Sequence, residues 1–206
     1  MDLAAVQTVI LAAGHSTRMG FDKLAAPLDG VPLARRVVMN VAELAPLIVA
    51  APRVAEAIGD LRAAHIVLTA PTAGPAVSLA LADTAIPHDR WLAVIACDLP
   101  FLDAARVRAF LERIPADVDL AWPFVDGTPG HPVVWSPRAR TRIATLREND
   151  PPARVRRDPA LHAVALDEHD DAYITDLDTP EGWQAAEERL RLAREHGVPS
   201  EKRGGG

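Results

Sequence analysis

Cysteine and lysine are both scarce in this sequence of 206 residues. The single cysteine, Cys97, excludes an internal disulfide framework and any metal site built from several cysteines. Lysine occurs only as Lys23 and Lys202, against 20 arginines. A compact ammonium binds phosphate as a point charge, which the planar guanidinium does not replace well. Lys23 follows a Gly-rich segment and therefore favours a phosphate site, with chance retention in a solvated loop as the alternative.

Long apolar runs and a broad excess of positive charge are also missing. No apolar run approaches the roughly 18 residues of a membrane span, and no basic stretch precedes an apolar one at the start. We therefore expect a cytoplasmic protein with neither a signal peptide nor a membrane partner. The net charge of −6 argues against nucleic-acid binding. It leaves room for a small phosphorylated ligand, because a few local cations suffice.

The length suits one domain, which we place at residues 1–196, followed by a disordered tail at 197–206. Apolar, β-branched runs alternate with helical segments, which predicts right-handed βαβ units and a mostly parallel sheet. The predicted strands are 6–12, 47–51, 65–69, 91–96, 118–123 and 131–135, with edge strands at 163–166 and 173–174. The predicted helices are 32–44, 54–64, 74–85, 103–114, 137–146 and 180–196. The expected fold is therefore α/β, a Rossmann-like three-layer sandwich.

A Gly-rich loop after the first predicted strand is the longest motif, and it runs from Leu11 to Lys23. Backbone N–H groups in such a loop can cradle phosphate oxygens, and Arg18 and Lys23 would neutralise a polyphosphate. The motif matches neither the dinucleotide fingerprint nor the Walker pattern. Ligands of open α/β sheets bind at the carboxyl ends of the strands, so the loop should meet Gly74 and Asp98 there.

Asp98 follows the fourth predicted strand within the stretch Cys97-Asp98-Leu99-Pro100. A carboxylate at the end of a buried strand suits Mg²⁺, which water and substrate phosphates would complete. A turn or a helix cap is the structural alternative. Cys97 reads as a core residue rather than a nucleophile. A second Gly-rich turn at Gly74 begins a helix whose N-terminus would favour an anion, although ordinary helix initiation explains it equally.

The second half of the chain contains two further motifs. Gly130-His131-Pro132-Val133 precedes residues 136–157, a segment with seven arginines that we interpret as binding an anionic acceptor. For any single arginine, a solvated helix face is the alternative. The stretch Thr175 to Glu181 contains Asp176 and Asp178, which could complete the metal and acceptor site. Capping of the last helix by Asp178 or Thr179 is the competing role.

On these motifs, over residues 6–190, the sequence resembles the MobA-like nucleotidyltransferases, which are the molybdenum cofactor guanylyl- and cytidylyltransferases. The resemblance implies a nucleotidyltransferase fold of the glycosyltransferase-A-like type, with Mg²⁺ on Asp98 and Asp178 and catalysis by Arg18, Lys23 and Asp98. The nucleotide contacts that it implies are Leu11, Ala12, Ala13, Gly14, Ser16, Arg18, Lys23, Gly74 and Ser78. The acceptor contacts are His131, Asp176 and Asp178.

The implied reaction transfers a nucleoside monophosphate from a nucleoside triphosphate to the phosphate of molybdopterin and releases pyrophosphate. Ala13 and the stretch Asp176-Leu177-Asp178 favour CTP, whereas Asp22-Lys23 and Gly74-Pro75 favour GTP, and we expect CTP by a small margin. A sugar or polyol phosphate is the alternative acceptor. A non-catalytic chaperone that delivers the cofactor to a molybdoenzyme is the alternative from a different class.

Overall fold

The computed structural model describes residues 2–14, 21–61, 65–72 and 74–196. Its strands are β1 Val6–Ala12, β2 Pro27–Leu28, β3 Val31–Pro32, β4 Leu47–Ala50, β5 His65–Leu68, β6 Trp91–Ala96, β7 Leu120–Val125, β8 Thr128–Pro129, β9 Val133–Trp135 and β10 Ala163–Asp167. Its α-helices are α1 Leu33–Asn40, α2 Pro52–Ile58, α3 Pro75–Thr84, α4 Ala104–Arg113, α5 Pro137–Arg140 and α6 Pro180–Glu195. None of these helices is long and apolar enough to cross a lipid bilayer.

Eight of the described strands form one sheet in the order β10-β7-β9-β6-β1-β4-β5, with β8 paired to β7. The pairs β1–β4, β1–β6, β4–β5 and β7–β10 are parallel. Strand β9 is antiparallel to both β6 and β7. The predicted mostly parallel α/β sheet is therefore confirmed, with one antiparallel strand inserted near its centre.

Helices cover both faces of the sheet, because each central strand is apolar on both sides. On one face, Ile10 of β1 belongs to a core with residues of α1, α2 and α4, including the fully buried Phe110. On the other face, Val9 belongs to a core with Leu79 of α3 and Trp135 of β9. The predicted three-layer sandwich is confirmed by these two cores.

The predicted edge strand at residues 173–174 is wrong. Asp171–Tyr173 forms a 3₁₀ turn instead, because the side chain of Asp170 accepts a hydrogen bond from the backbone N–H of Ala172 at 2.9 Å. The Tyr173 hydroxyl donates to the backbone carbonyl of Arg106 at 3.0 Å, which fixes the ring against α4. A local aspartate cap thus overrides the β propensity of two residues.

Three predicted helices are too long. Helix α5 ends at Arg140, and a 3₁₀ turn at Ile143–Thr145 follows, because the hydroxyl of Thr141 bonds back to the carbonyl of Arg138 at 2.8 Å. Helix α1 ends at Asn40, before a separate 3₁₀ turn. Helix α2 ends at Ile58, before Gly59 at a φ of 68°. Glycine favours that left-handed conformation and commonly ends helices.

Candidate functional site

The carboxyl ends of β1 and β6 bring together two loops that lie far apart in sequence. Leu11 pairs with Ala96 in the parallel register, so Gly14 and Asp98 follow from adjacent strands. The loop after β5 reaches the same edge, since Gly14 forms a parallel bridge with Thr72. The backbone N–H of Thr72 donates to the carbonyl of Ala13 at 2.8 Å. The sheet thus builds the predicted ligand edge from its central strands.

Lys23 joins two carboxylates at this edge. Its Nζ lies 2.7 Å from Oδ2 of Asp98 and 2.5 Å from Oδ1 of Asp178. The lysine side chain is 10% exposed, against 20% for Asp98 and 39% for Asp178. Three predicted site residues from separate segments therefore meet in one cluster, which we call the Lys23 cluster.

The electrostatics of the Lys23 cluster keep its lysine charged. Burial lowers the pKa of Lys23, but the negative charges of Asp98 and Asp178 together outweigh it, so the pKa is raised overall. Burial and the nearby Asp98 charge raise the pKa of the Cys97 thiol, which is 2% exposed. Cys97 therefore stays a neutral thiol, and its predicted place in the core is confirmed.

The Lys23 cluster suits a divalent cation. Oδ1 of Asp98 is buried and has no hydrogen-bond partner among the described residues. Mg²⁺ is commonly held by one or two carboxylates, with water and substrate phosphates as the remaining ligands. Asp98 and Asp178 provide such a pair, and no group of three metal-binding side chains occurs in the described part of the chain. The donor set fits a cation shared with a phosphorylated substrate.

A cavity of about 660 Å³ opens beside this edge, on the face of the sheet that α3 covers. Among its lining residues are five that the sequence predicts to bind substrate: Leu11, Gly14, Gly74, Ser78 and His131. The rest of its wall is mostly apolar, with Leu79, Val94, Val133 and Trp135 among its members. Mostly apolar clefts with a few convergent polar groups are the usual form of small-molecule sites.

The hydroxyls of Thr72 and Ser78 connect the loop after β1 to helix α3. They lie 2.9 Å apart, and the Thr72 hydroxyl also donates to the carbonyl of Ala13 at 3.3 Å. Both residues are buried. Gly74, between them, is close-packed, because a Cβ there would lie 2.9 Å from the carbonyl oxygen of Glu148. The Gly-rich turn therefore serves packing as well as any ligand.

His131 enters the cavity as a neutral ring. Its Nδ1 lies 3.1 Å from the carbonyl oxygen of Val94, and because a carbonyl only accepts, Nδ1 carries the hydrogen and Nε2 is left as an acceptor. Burial is the main reason that the pKa of His131 is lowered, and the positive charge of Arg156 adds to this effect. The negative charge of Asp98 opposes it. The charges of both Asp98, in the Lys23 cluster, and Arg156, in the cavity wall, therefore act on His131.

Asp178 reaches the Lys23 cluster from the start of α6, where the two roles considered for this segment fall to different residues. Thr179 caps the helix by accepting a hydrogen bond from the N–H of Gly182 at 3.1 Å, while Asp178 bonds Lys23. Asp176 is exposed, two residues before Asp178. The assignment of Asp176 to the acceptor stays a prediction.

The seven arginines of residues 136–157 divide into three groups. Four of them pair with acidic side chains: Arg138 with Asp119, Arg140 with Asp83, Arg142 with Asp158, and Arg154 with Asp150. Arg140 is 2% exposed and also donates to backbone carbonyls near the end of α3, so its role is structural. Arg147 and Arg157 are exposed. Arg156 alone of the seven lines the cavity.

Several predicted residues lie outside this picture. Ser16 and Arg18 are outside the described residues, as is the tail at 197–206. Ala12 and Ala13 are fully buried, and their contact with a nucleotide stays a prediction. Sequence reasoning missed Thr72 and Trp135, since a threonine in a turn and a tryptophan in a strand carry no signal of a cavity. Their position depends on pairing between distant segments.

Comparison with known proteins shows the family of this chain. The model of the MobA-like NTP transferase domain matches residues 8–169. The chain is 30% identical over 196 residues to a protein of Natronomonas pharaonis named probable molybdenum cofactor guanylyltransferase, covering 88% of this chain and 96% of the relative. The chain therefore belongs to the MobA-like NTP transferase family.

Solved structures share the fold at lower identity. A homologue of Mycobacterium tuberculosis Rv0371c from Mycobacterium sp. strain JC1 has a TM-score of 0.77 at 22% identity, covering 92% of this chain and 98% of the other. Rv0371c of M. tuberculosis in complex with manganese has a TM-score of 0.68 at 18% identity, covering 89% and 98%. The fold thus recurs over nearly the whole length of these proteins.

Proposed function

We propose that the protein transfers a nucleoside monophosphate from a nucleoside triphosphate to the phosphate of molybdopterin and releases pyrophosphate. Membership of the MobA-like NTP transferase family supports a nucleotidyltransferase, and the name of the N. pharaonis relative supports molybdopterin as the acceptor. The observation that carries the proposal is the meeting of Lys23, Asp98 and Asp178 beside a cavity lined by Gly14, which is predicted to bind nucleotide.

The nucleotide is the least constrained part of the proposal. The relative is named a guanylyltransferase, which favours GTP. The preference for CTP, inferred from Ala13 and the stretch Asp176-Leu177-Asp178, has no support from the comparisons. GTP is therefore the first substrate to test, with CTP beside it. Delivery of the product to a molybdoenzyme is a further prediction that depends on this reaction.

Asp98 and Asp178 would hold Mg²⁺, and the orphaned Oδ1 of Asp98 supports this assignment. The manganese bound by the distantly related Rv0371c also supports a divalent cation. When bound, such a cation polarises phosphoryl oxygens and neutralises the charge that develops in phosphoryl transfer. The two aspartates contribute by fixing the position of that charge at the edge of the sheet.

Lys23 and His131 would act on the substrates directly. A substrate triphosphate offers Lys23 more negative charge than two carboxylates do, so its ammonium can turn from Asp98 and Asp178 to phosphate oxygens. The unprotonated Nε2 of His131 can accept a hydrogen bond from molybdopterin, the substrate that receives the nucleoside monophosphate. The apolar wall of the cavity would limit water, which strengthens each of these interactions. The chain thus catalyses by positioning and charge neutralisation, without a covalent intermediate.

Pyrophosphate release with GTP and with CTP, each with and without molybdopterin, tests the proposal in the presence of Mg²⁺. We expect release that requires molybdopterin and that falls about 10²–10³-fold in Asp98→Asn, because a preorganised charge is lost. Asp126→Asn is the matched control, since Asp126 is an exposed aspartate in the β7–β8 turn with a φ of 46°, which asparagine tolerates.

The other outcomes separate the alternatives. Release that requires a sugar or polyol phosphate instead would reassign the acceptor. Nucleotide binding that Asp98→Asn leaves unchanged, with no pyrophosphate release in the presence of any acceptor substrate, would support the non-catalytic delivery role. Either result would overturn the proposed reaction, and the fold would be unaffected in both.

A further inference from the structure

Arg156 lines the wall of the cavity and pairs with no acidic side chain of the described residues. It lies in the 3₁₀ helix Pro152–Arg157, and its guanidinium carbon is 4.5 Å from the centre of the Trp122 ring. Within the described residues it makes no hydrogen bond or ion pair, and its Nε is buried without an acceptor. Burial lowers the pKa of Arg156. Because a desolvated charge is costly unless it is paired, this arrangement costs stability.

The neighbouring arginines, unlike Arg156, have either an acidic partner or an exposed position in solvent. Arg154, two residues earlier in the same 3₁₀ helix, pairs with Asp150, and Arg157, one residue later, is exposed to solvent. Arg156 is half-buried and has neither a carboxylate nor full hydration. The contact with the Trp122 ring supports the guanidinium without using its N–H donors. The donors are thus held in place and left for another group.

The charges of the residues that line the cavity indicate that this ligand group is an anion. Among the described residues that line the cavity, Arg156 is the only one with a formal charge at neutral pH, since His131 is neutral there. Most of the remaining wall is apolar, including Leu79, Val133 and Trp135. A guanidinium in a poorly hydrated pocket favours an oxyanion that accepts two parallel N–H hydrogen bonds.

We propose that Arg156, oriented by Trp122, is a phosphate-binding residue of this cavity, separate from the Lys23 cluster. The phosphate has two sources in the proposed function, the nucleoside triphosphate and the phosphorylated acceptor. The identity of the source rests on that proposed function, whereas the anion site itself does not. Both sources supply the same chemistry, a phosphate oxyanion that replaces the missing partner of Arg156.

Inorganic phosphate tests the anion site without any turnover. In ¹⁵N NMR spectra, the buried Nε–H of Arg156 should give a solvent-protected resonance that shifts saturably with phosphate at constant ionic strength. We expect Arg156→Met to weaken phosphate binding about 10- to 100-fold, as the loss of hydrogen bonds to a charged group implies. Arg157→Met, one residue along, is the matched control and should leave the affinity unchanged.

Thermal stability separates a ligand site from a structural arginine. Removal of an unpaired, desolvated charge should leave the melting temperature unchanged or raised in Arg156→Met, while phosphate binding falls. Trp122→Leu should weaken phosphate binding as well, since the guanidinium loses its support. Equal phosphate affinities in wild type, Arg156→Met and Arg157→Met would overturn the proposal, as would a lowered melting temperature in Arg156→Met with phosphate affinity retained.

Titrations with GTP, CTP and molybdopterin then identify the source. A loss confined to molybdopterin in Arg156→Met assigns Arg156 to the acceptor phosphate, and a loss confined to the nucleotides assigns it to the triphosphate. Both results support the site. If wild-type protein binds inorganic phosphate through Arg156 but neither binds nucleotide nor releases pyrophosphate, the proposed function fails and the anion site stands.

Discussion

Lys23 and Asp98 lie 75 residues apart in the chain, and their charged atoms are 2.7 Å apart in the structure. The same ammonium binds Asp178, a further 80 residues along. One lysine therefore ties together the loop after β1, the loop after β6 and the segment before α6. In a protein with only two lysines, this contact explains why an ammonium is kept at position 23.

Lys23→Met tests whether the lysine stands where a divalent cation would bind. Loss of the ammonium leaves Asp98 and Asp178 as neighbouring carboxylates without their shared counter-charge. We expect a lower melting temperature without metal, a larger rise on adding Mg²⁺ or Mn²⁺ than in wild type, and turnover reduced about 10²–10³-fold. Differential scanning fluorimetry without nucleotide and a pyrophosphate assay measure these effects.

The matched control for Lys23→Met is Arg53→Met. Arg53 is also a cation beside an aspartate, Asp22, but at 3.9 Å and with 77% of its side chain exposed. Its removal should change neither the metal response nor the turnover. An identical metal-induced rise in wild type and Lys23→Met would show that the lysine does not compete with the cation for the two carboxylates.

Gly130→Ala should damage the site through the backbone. A Cβ at this position would overlap the carbonyl oxygen of Tyr173 and approach Cγ2 of Ile174 to 2.9 Å. The Tyr173 carbonyl accepts the backbone N–H of His131 at 2.9 Å, so the segment that leads to Asp178 must shift. We expect about 1–3 kcal/mol of lost stability in urea unfolding, together with weaker substrate binding.

Gly127→Asn is the comparison for the glycine variant. Gly127 has a φ of 86°, which asparagine tolerates better than other side chains, and open space surrounds the position. Its variant should lose less stability than Gly130→Ala and should bind substrates normally. Equal losses in both variants would argue against the close contact at Tyr173.

Arg140→Met should be strongly destabilising although it lies in the arginine-rich segment. Its Nε lies 2.6 Å from Oδ1 of Asp83, and its terminal nitrogens donate to the carbonyls of Pro87 and Ile86 at 2.6 and 2.9 Å. Loss of one partner of a buried pair typically costs about 3–5 kcal/mol. Arg154→Met, which removes an ion pair with Asp150 whose arginine is 62% exposed, should cost much less in the same denaturation experiment.

His131 predicts a loss of stability in acid. Its pKa is lowered from the usual 6.5 by burial and by Arg156, against the opposing charge of Asp98. Below pH 6.5 the unfolded chain therefore takes up a proton at this position more readily than the folded chain. The stabilisation present above this pH is lost as the pH falls through the lower pKa of the folded state.

His131→Asn measures this contribution, because an amide can donate to the Val94 carbonyl without titrating. The free energy of unfolding should depend less steeply on pH in the variant at pH values below 6.5. His88→Asn, which changes an exposed histidine, should leave the pH dependence as in wild type. A steeper dependence in His131→Asn would reverse the inferred direction of the pKa shift.

Local patterns predicted the elements better than their ends. The run Val6–Ala12 is mostly apolar and rich in β-branched residues, so a buried parallel strand was predictable to the residue. The sequence also predicted that Asp178 or Thr179 caps the last helix, and the structure shows that Thr179 does so by bonding the first turn of α6. The prediction of a strand at 173–174 was wrong because the Asp170 side chain bonds the N–H of Ala172 and stabilises a 3₁₀ turn there. The β propensities of the two residues do not include this hydrogen bond.

The sequence by itself determined the class of fold, the nucleotide loop, and the candidate roles of Lys23 and Asp98, because strand periodicity and glycine-rich loops are local properties of the chain. Only the tertiary structure decided which distant side chains meet. It paired Asp178 with Lys23 and left the capping of α6 to Thr179, and it gave Arg140 a structural role. It also placed Arg156 in the cavity wall with no ion pair to the described residues. Charge pairing depends on the distance between atoms in space, and the spacing of residues along the chain does not determine that distance.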